Sequence, residues 1–116
     1  MARSKSYKDY LIESLREPTE AVGYLNAALH DDDPEVFLMA LRDVTEALGG
    51  VGTLSKKTKL NRESLYRMLS KNGNPSLSSL HTLLDSLGFR LSVEKSSHPP
   101  KSVRGRRKPG IPSTSP

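Results

Sequence analysis

Apolar residues return at helical spacing in several separate windows of this chain, and the polar residues between them mark where each window begins and ends. From Pro18 or Thr19, the run TEAVGYLNAALHD places Ala21, Val22, Leu25, Ala28 and Leu29 on one stripe, which predicts an amphipathic helix. Asp33, Pro34 and Glu35 then supply an N-cap, a first-turn proline and an acid at the positive end of the next helix dipole. That second helix is expected to reach about Leu48, to bury Val36, Phe37, Ala40, Leu41, Val44, Ala47 and Leu48, and to end at Gly49-Gly50. The helical pattern restarts at Thr53 as TLSKKTK and again as NRESLYRMLSK, followed by a Gly73-Asn74-Pro75 loop. Ser76 caps a last helix over Leu77 to Leu87, with Leu77, Leu80, Leu83, Leu84 and Leu87 directed inward and Gly88 as its stop.

The two ends follow other patterns. Residues 1–6 are expected to fray, and Tyr7 to Leu15 fits either a short helix or an extended arm that ends before Pro18. After Gly88 the period becomes two: Phe89, Leu91 and Val93 alternate with Arg90, Ser92 and Glu94, which predicts a short strand over residues 89–94. A lone strand needs an edge, so it pairs with a second copy or a partner sheet, or else it is only an arm. From Ser96 onward the chain holds five prolines, six Ser/Thr and five basic residues with almost nothing to bury, the composition of a disordered tail. Its Arg104, Arg106, Arg107 and Lys108 can attract phosphates or simply keep the chain dispersed. The organisation expected is an N-terminal arm or short helix over 1–17, one domain over 18–95 and a basic Pro/Ser-rich tail over 96–116.

Composition narrows the class. A chain of 116 residues that is 34% hydrophobic and 5% aromatic, with no Trp, has one modest core of Leu, Ala, Val and Met, which suits packed helices. There are no cysteines, so thiolate metal sites, disulfides and cysteine nucleophiles are excluded. No run approaches the length of a membrane span, and MARSKSYKDY lacks the apolar stretch of a signal peptide, so a soluble, cytoplasmic protein is expected. His30, His81 and His98 lie far apart, each without a partnering nucleophile. Asp31-Asp32-Asp33 lacks the alternating spacing of a calcium loop, and Gly49-Gly50-Val51-Gly52 lacks the Gly-Lys-Ser/Thr of a phosphate loop. Neither an enzyme nor a resident metal or cofactor is expected.

Charge changes the picture more. Residues 1–48 hold five Lys/Arg against ten Asp/Glu, residues 49–71 hold six against one, and residues 72–116 hold seven against two. An acidic first part precedes a basic middle, which reads either as uneven solvated surface or as a nucleic-acid face beside a differently charged protein-binding face. With a sharp turn at Lys59-Leu60-Asn61, residues 51–70 fit a helix-turn-helix: Leu54, Thr58, Leu60, Leu65 and Met68 lock two short helices together, and Asn61 caps the second. Arg62, Glu63, Ser64 and Arg67 then occupy the exposed face that reads base edges. Arginine can donate two bonds to guanine, Glu63 can accept from cytosine, and Ser64 can meet base or phosphate. Thr53, Lys56, Lys57, Asn61, Tyr66, Ser70, Lys71 and Asn74 are candidates for the DNA backbone. Bland roles fit some of these as well: Tyr66 can pack, Glu63 can favour the helix dipole, and Lys56-Lys57 can be a wet face.

The run LSKKTKLNRESLYRMLSKNGNPSLSSLHTLLDSLGFRLSV, with YLNAALHDDDPEVFLMALRDVTEA upstream, resembles the addiction-module antidote proteins, a branch of the Xre/Cro-type helix-turn-helix regulators. The resemblance spans roughly residues 7–95. It implies an all-α, Cro/repressor-like bundle of about five helices with one short C-terminal strand. It also implies a type II antitoxin that neutralises a co-encoded RelE/ParE-like toxin and, as a homodimer on double-stranded operator DNA, represses its own operon. Carried over by position, Arg62, Glu63, Ser64 and Arg67 are the base readers. Two positions depart from the family pattern: Ser55 stands where a small Ala is common, and Lys59 where the turn commonly has Gly. A stand-alone Xre-type repressor and a protein-interaction module without DNA binding are the alternatives.

Overall fold

The first helix opens on a reciprocal cap. In the computed structural model, which describes residues 6–96, the Asp9 amide donates to the Ser6 hydroxyl at 3.1 Å and the Ser6 amide donates to Asp9 Oδ2 at 3.2 Å. This capping box satisfies two donors that the start of α1 (Tyr7–Ser14) would otherwise leave open. Ser6 is thus a cap and not a frayed residue, and the segment is a helix and not an arm. The remaining residues expected to fray, 1–5, and the basic tail beyond Ser96 lie outside the described residues.

Five more helices follow: α2 (Pro18–Leu29), α3 (Pro34–Ala47), α4 (Gly50–Lys57), α5 (Arg62–Met68) and α6 (Leu77–Ser86). The described chain is therefore all-α with six helices, one more than the five expected, because α1 forms. None of these helices is long and apolar enough to cross a membrane. The N-caps of α3 and α6 are those the sequence marks: Asp33 Oδ1 accepts the Glu35 amide at 3.0 Å, and the Ser76 hydroxyl accepts the Ser79 amide at 3.1 Å.

Helix α3 is the centre of the bundle and packs against α1, α2 and α4. Leu41 and Val44 are fully buried, and Leu38, Ala40 and Ala47 nearly so, joined by Ala21 and Leu25 of α2, Leu54 of α4, Leu65 of α5 and Leu83 of α6. Leu15, in the turn after α1, is also buried. The expected stripes hold at their centres and fail at their margins. Val22, Leu29 and Leu77, all expected inside, are 42%, 52% and 71% exposed, while Leu38 is buried. The stripe geometry is right for each helix, but the neighbouring elements cover only part of it.

The least expected core residue is charged. Asp43 is 8% exposed, and its Oδ2 accepts the Tyr24 hydroxyl at 2.7 Å. Lys8 of α1 reaches Asp43 Oδ1 at 3.8 Å and Glu46 at 3.5 Å. A buried carboxylate is tolerated only when bonded, and here one is shared by α1, α2 and α3. Burial, and then the hydrogen bond and charge of Asp43, push the Tyr24 hydroxyl well above its usual pKa of 10.0.

Helix α6 ends in a Schellman turn. Gly88 takes φ +92°, the Gly88 amide donates to Asp85 at 3.0 Å and the Phe89 amide donates to Leu84 at 2.8 Å. No strand follows. Residues 89–94 take no regular structure, because no strand among the described residues offers them an edge within the chain. Phe89 and Leu91 pack against the core and line a groove with Val22, Leu25 and Leu29 of α2, whereas Val93, the third apolar residue of the alternation, is 99% exposed.

Two outcomes test this packing. Tyr24→Phe leaves Asp43 short of a donor and is expected to cost about 1–3 kcal/mol in urea unfolding at pH 7. Because the folded-state pKa of Tyr24 is raised, the unfolded chain loses the proton first, so this residue's stabilisation is intact below pH 10 and declines above it. The native chain should lose stability across that alkaline range more steeply than Tyr24→Phe.

Candidate nucleic-acid interface

Gly49 and Gly50, with φ of +119° and +86°, reverse the chain sharply after α3. This lets α4 begin at Gly50, three residues before the Thr53 restart suggested by the apolar pattern, and brings Val51 against the core. At the other end the turn is built by Thr58. The Leu60 amide donates to its hydroxyl at 3.0 Å, and that hydroxyl faces the Leu60 carbonyl at 3.3 Å. Thr58, expected as an apolar lock, therefore works through its oxygen. Asn61 Oδ1 accepts the Ser64 amide at 2.7 Å and starts α5 as expected. Leu54, Leu65 and Met68 are buried at the α4–α5 contact, and Leu60 is half-buried.

The candidate residues separate by direction. Ser64 and Arg67, three apart on α5, line a surface cavity of about 450 Å³ together with Ser70 and Asn74. Asn72, Ser76 and Ser79 complete its polar lining. These last three were absent from the expected set. The serine run at the start of α6 was the available signal, and it reads equally well as helix capping. Tyr66 and Ser70 border a second groove with Arg42, Glu46 and Val51, so Tyr66, 60% exposed, lies toward α3. Arg62 is placed differently again: its guanidinium lies over Gly52 of α4.

Lys56 and Lys57 are exposed in the last turn of α4, where positive charge also suits the helix dipole. Lys59, Glu63 and Lys71 are exposed as well, while Thr53 is half-buried with its side chain close to Gly49. What the arrangement offers is a polar, cation-rich surface across two short helices and the following loop. Its donors suit anionic or base-edge acceptors. No group of three or more His, Cys, Asp or Glu able to hold a metal occurs among the described residues.

Over the described residues these features define a small all-helical protein that carries exposed Lys and Arg side chains along α4, α5 and the turn between them. A family model described as probable addiction module antidote protein matches residues 7–95, and the chain belongs to that family. An uncharacterized protein of Haemophilus influenzae (strain ATCC 51907 / DSM 11121 / KW20 / Rd) is 30% identical over 94 residues, which cover 80% of this chain and 96% of that relative. No solved structure matches the chain.

Asn61→Ala should remove the α5 cap at a cost of about 1 kcal/mol, lowering the melting temperature by about 4–8 °C, whereas Asn61→Asp should melt close to the native chain. Circular dichroism melts decide this.

Proposed function

We propose that this chain is the DNA-binding antitoxin of a type II toxin-antitoxin module, which neutralises a RelE/ParE-like toxin and represses its own operon through a helix-turn-helix formed by α4 and α5. One observation carries the DNA half of the reading: the six Lys/Arg of residues 49–71, against one Asp/Glu, are exposed on α4, the turn, the Asn61-capped α5 and its exit. Ser64 and Arg67 on α5, with Arg62 and Glu63 in its first turn, are the base readers. Lys56, Lys57, Lys71, Ser70 and Asn74 position the helix on phosphates, Asn61 fixes its start, and Thr53 and Tyr66 bound it on the α3 side. As a homodimer the chain would meet two half-sites about 34 Å apart.

The toxin half rests on family membership and on charge. Helices α1 and α2 carry acids on exposed positions, and α1 also exposes Tyr7 (78%) and Tyr10 (60%), the residue type that anchors protein interfaces. A basic toxin surface fits that face. The alternatives, a stand-alone Xre-type repressor and an interaction module, differ from this reading in which half of the molecule is used.

Arg67→Ala should weaken binding to the DNA preceding the coding sequence by about 1–3 kcal/mol and relax one position of the site. Lys57→Ala should weaken binding to all sequences alike, and raising salt from ~50 to ~200 mM should lower native affinity by orders of magnitude. Gel shifts that show no promoter binding would leave only the interaction module. Separately, Tyr7→Ala with Tyr10→Ala should reduce co-purification with the product of the neighbouring gene by about 30-fold or more and leave the gel shift intact. Undiminished co-purification would move the toxin surface elsewhere.

A further inference from the structure

Gly52 is the third residue of the eight-residue helix α4, a place where glycine weakens a helix relative to alanine. Its backbone does not call for glycine, since the glycines with positive φ are Gly49, Gly50 and Gly88. The space above it does. A Cβ at Gly52 would stand 2.9 Å from Nη2 and 3.8 Å from Cζ of Arg62, and these are the atoms it would meet. The Ser55 hydroxyl donates to the Gly52 carbonyl at 2.9 Å, fastening this turn of α4.

We infer that Gly52 is the seat of the Arg62 guanidinium and acts as a positioning residue for base reading by α5. The inference rests on the DNA-binding reading above. Arg62 is the first residue of α5 and is exposed, and its guanidinium reaches back over Gly52 of α4, into the space a Cβ would take. A guanidinium reads guanine through two parallel bonds, which need the plane held in one orientation. Resting the fork against a Cβ-free turn restricts where it can go before DNA arrives, and such preorganisation sharpens recognition. Gly52 contacts only the far end of a flexible side chain, so Gly52→Ala should displace the guanidinium without straining the fold.

That separates the two explanations of the glycine. If Gly52 is merely tolerated, alanine there strengthens α4 and changes nothing else. If it seats Arg62, alanine strengthens or preserves α4 and still damages base selection. The test uses the full chain and a pool of randomised 20-bp duplexes, comparing the native protein with Gly52→Ala, Arg62→Ala, Arg62→Lys and the Gly52→Ala/Arg62→Ala pair, with a thermal melt of each.

Gly52→Ala should melt at or above the native temperature yet lose about tenfold in discrimination at one base pair. That base pair should be the one at which Arg62→Ala and Arg62→Lys also lose it, and the double variant should be no worse than Arg62→Ala. A native preference retained by Gly52→Ala would overturn the inference, as would a melt well below native, which would assign the glycine to packing. A native chain that selects no sequence from the pool overturns the DNA reading itself, a result distinct from either.

Discussion

Helix α3 must be covered on nearly every side, and the rest of the molecule is arranged by that requirement. Leu38, Ala40, Leu41, Asp43, Val44, Thr45 and Ala47 are all buried, so no single neighbour can satisfy the helix. Helices α1, α2 and α4 each take one flank. The charged member of the set, Asp43, then couples two of those flanks, because its carboxylate is shared with Tyr24 of α2 and Lys8 of α1. The influence of α3 extends to α5 as well. Arg42 donates to the carbonyl of Leu69, one of the acceptors that the end of α5 would leave open. The candidate reading helix is thus held at its start by its own Asn61 and at its end by a side chain from the acidic half.

This linkage gives the charge division a mechanical meaning. The acidic helices and the basic helices are not separate modules, since they share one core through Leu41, Leu54, Leu65 and Leu83. Acidic side chains therefore border the exit of α5: Asp31, Asp32 and Asp33 line a cavity with Gly73, Asn74 and Pro75, and Glu46 lines another with Tyr66 and Ser70. Membership of the addiction module antidote family fits a chain built in this way.

Much of this architecture was legible in the residues. Asp33, Asn61, Ser76 and Gly88 carry local signals that work within a few residues, and each does its expected task. What failed depended on distant neighbours. Asp43 reads as one more surface acid until Tyr24, nineteen positions away, is folded against it. Val22 and Leu29 share the spacing of Leu25 but lie at the edge of the cover that α3 and residues 89–91 provide. The alternation of Phe89, Leu91 and Val93 marked the two residues that pack on the core but not the exposed third, and no strand is seen, because period two reports which side of a segment is apolar and not whether its backbone has a partner. In the candidate interface, residue types and exposure were readable. The divergence of Arg62 toward α4 and Ser64 and Arg67 toward the 70–76 loop required the coordinates.

The central claim is that DNA meets the α4–α5 face while α1 and α2 stay free for another partner. Backbone amide chemical shifts of the full chain, followed during titration with the duplex that precedes its coding sequence, test this most directly. The account predicts that the largest changes fall between Lys56 and Asn74 and that residues 7–30 barely move. Changes concentrated on α1 and α2, or none at saturating duplex, would contradict it.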